Sequence, residues 1–164
     1  MPFGPRLLEQ PAGTGLTLAG WTADYRIAVL DSSGDTVRVV GRDRPQVSIR
    51  EQEWQEAQRE YLKFRETWPD AECTSKTMER PDRKSSFRNL MLDTSGRLWV
   101  EAYTPTGTVW DVFDARGFLR GSVPGFSYLE GVPISIRGNL VAWVDADSLG
   151  VERVTVARVQ VPPP

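Results

Sequence analysis

Asp93, Asp111, Asp145 and Glu152 are the carboxylates that fall near expected strand ends and hairpin tips, and any two that converged could act as acid and base. The chain contains no histidine, which removes the usual base near neutral pH, the Ser-His-Asp and Cys-His arrangements, and the familiar zinc ligand sets. A carboxylate pair or a metal held by oxygen ligands remains open. Asp145-Ala146-Asp147-Ser148-Leu149-Gly150 begins like a calcium-binding loop, with D-x-D and Gly at the sixth place. Leu149 occupies the fifth place and Val156 the twelfth, where a bidentate Glu belongs, and Glu152 is out of register. The segment therefore reads as an acidic hairpin tip. No catalytic residue, metal ligand or cofactor is assigned.

Aromatic residues offer a second kind of site. Trp21, Tyr25, Trp99, Tyr103, Trp110 and Trp143 could build a binding floor, but those inside strands are better explained by packing between sheets. Trp21 and Tyr25 fall in a hairpin tip and are the least committed to a core. The candidate ligand-binding set is therefore Trp21, Tyr25, Asp145 and Glu152. Cys73 is the only cysteine, so it forms no intrachain disulfide, and its polar surroundings suggest an incidental thiol.

The elements that must position these residues repeat along the chain. Gly15–Val40 and Gly96–Val123 share a Gly-led apolar strand, a polar gap, a second strand ending in apolar-Asp, a two-residue spacer with Gly, and a third strand. Leu30-Asp31-Ser32-Ser33-Gly34 matches Phe113-Asp114-Ala115-Arg116-Gly117, and the same D-x-x-G recurs at Asp93–Gly96. Asp starts such a turn by bonding nearby backbone N–H groups, and Gly takes the positive φ at its end. A third unit begins at Gly138, 42 residues after Gly96, a spacing that suits a four-stranded repeat of about 40–50 residues. Strands are expected near Arg6–Gln10, Leu16–Ala19, Arg26–Leu30 and Thr36–Val40; near Asn89–Leu92, Leu98–Tyr103, Val109–Phe113 and Leu119–Val123; and near Pro133–Arg137, Leu140–Val144 and Glu152–Val159.

Residues 43–87 break the repeat. Ser48 with Glu51 three residues on gives a capping-box pattern, EQEWQEAQREYLKFRETW is rich in helix formers, and Pro69 stops the run. Trp54, Tyr61, Phe64 or Arg65, and Trp68 fall near one stripe, expected to be the packing face. The polar stretch after Pro69 reads as a loop. The whole segment is expected to be an insertion, laid against sheet edges or over one mouth, within a single domain spanning residues 1–164.

Both faces of the expected strands are largely apolar: Leu98, Val100 and Ala102 oppose Trp99, Glu101 and Tyr103, and Leu140, Ala142 and Val144 oppose Val141 and Trp143. Sheets of that kind must be covered on both sides. YRIAVLDSSGDTVRVV, the D-x-x-G-R-L-W-V of Asp93–Val100, and WDVFDARGFLRGSV followed by VAWVDADSLGVERVTVARV together resemble the C-terminal half of bacterial six-bladed β-propellers of the NHL-repeat and TolB-like group. The resemblance covers roughly residues 2–42 and 86–160. It implies an all-β fold of about three antiparallel blades, the last lacking its outer strand, and it carries no catalytic residue to this chain.

Three blades expose two apolar faces, so the expectation is a homodimer that closes a ring of six and binds a small molecule or protein at its mouth. The alternatives are a truncated propeller and a propeller hydrolase using carboxylates around a central metal; for the latter, the asparagines that would help hold a metal number only two, Asn89 and Asn139. With 20 basic and 22 acidic residues and net charge −2, neither nucleic acid nor an anionic membrane surface is expected as a partner. No apolar run approaches the roughly 20 residues of a membrane span, and no signal peptide is visible at the start. The compartment stays open, although members of the resembled group are often secreted or envelope proteins.

Overall fold

A computed structural model describes residues 2–12, 15–69 and 78–161; Cys73 lies outside the described residues. Among the described residues, eleven strands and one helix follow in order: β1 Leu7–Ala12, β2 Leu16–Trp21, β3 Arg26–Leu30, β4 Thr36–Gly41, α1 Glu51–Thr67, β5 Phe87–Leu92, β6 Leu98–Thr104, β7 Gly107–Phe113, β8 Leu119–Pro124, β9 Ser135–Arg137, β10 Leu140–Ala146 and β11 Glu152–Arg158. They form three antiparallel sheets, each joined in chain order: β1 to β4, β5 to β8, and β9 to β11.

The turn chemistry sets the hairpins. In the β3–β4, β5–β6 and β7–β8 turns, one Oδ1 of Asp31, Asp93 or Asp114 accepts N–H bonds of 2.9–3.0 Å from the residues two and four positions on. Gly34, Gly96 and Gly117 complete these turns at φ of 86°, 77° and 91°, a region that carries a steric cost for any residue with a Cβ. A fourth copy sits in the β10–β11 turn. There Asp147 holds the N–H groups of Leu149 and Val151 at 2.8 and 3.0 Å, and Gly150 has φ 78°. The acidic tip is thus the same turn as the other three, and it begins at Asp147. Asp145, expected to open it, belongs to β10.

The three sheets stack face to face. Leu18, Ile27, Val29 and Val40 of the first pack with Phe87, Leu90, Leu98 and Val100 of the second. The opposite face of the second presents Trp99, Trp110 and Val112 to Ile136 and Val141 of the third. Burying each such side chain contributes about 1.5–3 kcal/mol, so the middle sheet, covered on both faces, anchors the stack. The two end sheets have only one covered face. Val37 and Val39 on the first are 57% and 53% exposed, and Val154 and Val156 on the third are 72% and 61% exposed.

Strand alternation places the β2–β3, β6–β7 and β10–β11 turns at one end of the stack. Cross-sheet bonds fix that alignment: the Ser86 N–H donates to the Thr22 carbonyl at 2.7 Å and the Leu129 N–H to the Val144 carbonyl at 2.9 Å. At the other end, Arg38 donates to the Ala115 carbonyl and Arg97 to the Gly138 carbonyl.

The segment between β4 and β5 belongs to the first of these ends. Its two arms are tied by a backbone bridge between Ser48 and Arg83 and by the Lys84 N–H donating to the Val47 carbonyl at 2.8 Å. Ser48 is therefore not the helix cap. Arg50 is, and Glu53 accepts its backbone N–H at 3.0 Å. Of the stripe expected to pack, Trp54 is buried under the Arg80 guanidinium and Tyr61 and Arg65 are half-buried, whereas Phe64 and Trp68 are 43% and 61% exposed. The pairs of Arg80 with Glu51 and of Lys84 with Glu53 fasten the first turn of the helix.

Candidate binding cleft

The end of the stack beneath the helix holds a cleft of about 470 Å³ bordered by Lys84, Arg88, Glu101, Tyr103, Phe126 and Tyr128. A second cavity of about 340 Å³ continues between Phe3, Arg6 and the helix flank at Glu53, Ala57 and Glu60. A third, of about 200 Å³, lies along Asn89 and Glu130. Arg88 borders all three.

Glu101 is the charged residue in the apolar run Leu98–Tyr103, and it is 1% exposed. A carboxylate so placed needs a counter-charge and donors. Arg88, at the start of β5, supplies its Nε at 3.2 Å, and the Tyr128 hydroxyl donates to Oε2 at 2.6 Å. Asn89 Nδ2 donates in turn to the Tyr128 hydroxyl oxygen at 3.0 Å, while Arg88 also reaches Glu130 Oε1 at 3.0 Å. Burial, and then the Glu101 carboxylate, push the Tyr128 hydroxyl up to about 12. Burial alone would lower the Arg88 pKa, but the Glu101 charge together with Tyr128 and Tyr103 outweighs it and raises the value. The connection carrying Tyr128 is pinned by a close approach: Gly125 donates to the Thr108 carbonyl at 3.0 Å, and a Cβ at Gly125 would lie 2.2 Å from Thr108 Oγ1.

Lys84 forms the other half of the cleft. It is 4% exposed, its Nζ meets Glu53 Oε1 at 2.7 Å, and it lies 5.0 Å from the Tyr103 ring centre and 5.5 Å from that of Phe3. Phe3 adopts φ 61°, a conformation that costs a non-glycine residue about 1 kcal/mol or more. The Ser85 N–H donates to its carbonyl at 2.9 Å, and its ring packs edge-on to Tyr103. Burial raises the Glu53 pKa, but the bonds from Arg50 and Lys84 prevail and hold it at about 2. A depressed carboxyl stabilises the fold above its unfolded value of about 4.3, and that contribution is lost as pH falls toward 2. Glu53→Gln is thus expected to lower stability at neutral pH and to flatten the acid limb of a urea-midpoint-against-pH curve. An unchanged acid limb would remove Glu53 from the account.

The four residues expected to bind ligand do not gather here. Trp21 is 49% exposed at the same end of the stack. Tyr25 is buried, correcting its expected freedom: its hydroxyl donates to Asp111 Oδ2 at 2.7 Å, and its ring packs on Phe87 and Phe113. Asp145 is engaged within its own hairpin by Arg153 Nε at 2.6 Å and Thr155 Oγ1 at 3.1 Å. Glu152 lies exposed on the outer face of the third sheet.

The carboxylates considered as acid and base also stay apart. Asp93 serves the turn at the opposite end and accepts Trp99 Nε1 at 3.0 Å. Asp111, fully buried between the first and second sheets, accepts Arg42 at 2.9 Å, Arg44 at 3.2 Å and Ser122. Among the described residues, no group of three or more acidic or thiol side chains is placed to hold a metal ion. The cleft residues Lys84, Arg88 and Tyr128 are not among the site residues expected from the sequence. The available signal was Glu101, a charge inside an apolar strand that had to find a cation. No protein-family model and no curated protein matches this chain.

Proposed function

We propose that the chain is half of a six-bladed β-propeller, closed by a second copy, and that it serves as a non-catalytic binding or scaffold module whose ligand enters at the Arg88 end. The observation that carries this reading is the asymmetry of burial. Both faces of the middle sheet are covered, while each end sheet turns an apolar face to solvent around Val37 and Val39 or Val154 and Val156. Contiguous apolar faces on a folded protein mark interfaces, and the covering that suits a twisted antiparallel sheet is another such sheet. A two-fold pair of three-sheet stacks covers all four faces at once.

The cleft supports binding more than turnover. Its central charges are already paired, Arg88 with Glu101 and Lys84 with Glu53, so they hold shape and polarity. Light scattering on a sizing column across a hundredfold dilution tests the assembly. The expected result is a stable species near twice 18.4 kDa. A monomer or a ragged series of aggregates would overturn this reading and leave the apolar faces to blades supplied by another chain.

A further inference from the structure

The two outer faces differ in a way that specifies how they meet. On the first sheet, the outward residues of β1 and β3 carry one acidic and one basic group: Glu9 on the first strand and Arg26 at the start of the third. On the third sheet, the outward residues are Arg137 on its first strand, Glu152 at the start of its third strand and Arg158 at the end of that strand. All five are exposed, and none has an ion-pair partner among the described residues. Around them the faces are apolar, with Leu7, Trp21, Val37 and Val39 on one and Leu140, Val154 and Val156 on the other.

Resting on the proposed ring, we infer that the third sheet of one copy docks on the first sheet of the second copy in the same strand order and polarity as the sheets within one chain, keyed by Glu152 against Arg26 and Arg137 against Glu9. The starts of β3 and β11 both lie at the Arg88 end, so that polarity sets Glu152 beside Arg26 and brings Arg158 toward the turn that carries Asp31 and Asp35. The reversed polarity also reverses the strand order, laying β9 over β3 and β11 over β1, and brings Arg137 toward Arg26 and Glu152 toward Glu9, like charges at both places. Like-charge juxtaposition at an interface is costly, so the pattern selects one orientation where the apolar surface alone would accept either.

Charge reversal of the full chain tests this. Arg26→Glu and Glu152→Arg each place like charges at both junctions of a two-fold ring. Each is expected to weaken the dimer roughly a hundredfold in a dilution series read by light scattering. Carrying both changes restores opposite charges and is expected to recover the dimer to within roughly tenfold of the parent, with circular dichroism confirming that all variants stay folded. A dimer indifferent to the single changes, or a double variant no better than either single, would overturn the keyed docking while leaving the ring standing. A monomeric parent chain would overturn both.

Discussion

Replacing Trp99 by alanine is expected to destabilise the protein by about 4 kcal/mol, within the usual cost of deleting a large buried aromatic side chain. Trp99 is 1% exposed in the middle of β6 and lies in the cluster that joins the second and third sheets. It also gives a hydrogen bond to Asp93, whose other oxygen organises the β5–β6 turn, and its ring lies 5.6 Å from the Arg97 guanidinium. The alanine variant thus loses packing and one of the two donors to Asp93 Oδ2, leaving the Arg97 Nε at 2.6 Å as the other. Trp99→Phe keeps most of the volume and loses the bond, so it is expected to cost about 1–2 kcal/mol. Urea denaturation separates the two. Equal losses would mean that the Asp93 bond, not the packing, carries the joint.

The consequence for assembly is specific. The third sheet has three strands, and its outer strand is largely exposed, so its position depends on the aromatic joint to the second sheet. Phe126, from the connection between β8 and β9, stacks on Trp143 at 4.3 Å and on Trp110 at 5.8 Å, extending that joint toward the cleft. Loosening it with Trp99→Ala should raise hydrogen exchange in β10 and β11 well before it does so in β2 and β3, because local opening follows local contact density.

Much of the strand layout was legible because it is local. An Asp with a Gly three positions later brackets apolar runs, and the resulting bonds form within five residues; the observed strands start and stop within a few residues of the expected bounds. The misreadings share the opposite property. Ser48 looked like a cap, but its bridging partner Arg83 comes from the far arm of the insertion. Tyr25 looked free, but its acceptor Asp111 is 86 residues away. The helix stripe looked like a packing face, yet periodicity can mark a face without showing that a surface exists opposite its whole length. The cleft was least legible of all, because Phe3, Lys84, Glu101 and Tyr128 come from four separate segments.

Asp111→Ala is expected to cost about 3 kcal/mol, because it removes a buried carboxylate that gathers donors from both sides of the joint between the first and second sheets. The Asp111 side chain is fully buried and receives Tyr25, Arg42, Arg44 and Ser122. Without it, Arg42 can turn to water, being already 34% exposed, but Arg44 at 18% has less room and the Tyr25 hydroxyl has none. The partial escape of the arginines sets the estimate at the lower edge of the 3–5 kcal/mol typical of breaking a buried pair. Tyr25→Phe removes one donor and is expected to cost about 1 kcal/mol. Asp111→Asn discriminates the sources: it keeps the size, loses the charge, and turns an amide N–H group toward arginine donors. A cost near that of alanine would show that charge holds the joint, whereas a cost near that of Tyr25→Phe would show that a neutral acceptor suffices. A loss below about 1 kcal/mol for alanine itself would refute the ionic joint. The two joints of the stack thus differ in chemistry, an apolar cluster with a buried ionic point at Asp111 between the first and second sheets and a mainly aromatic one between the second and third.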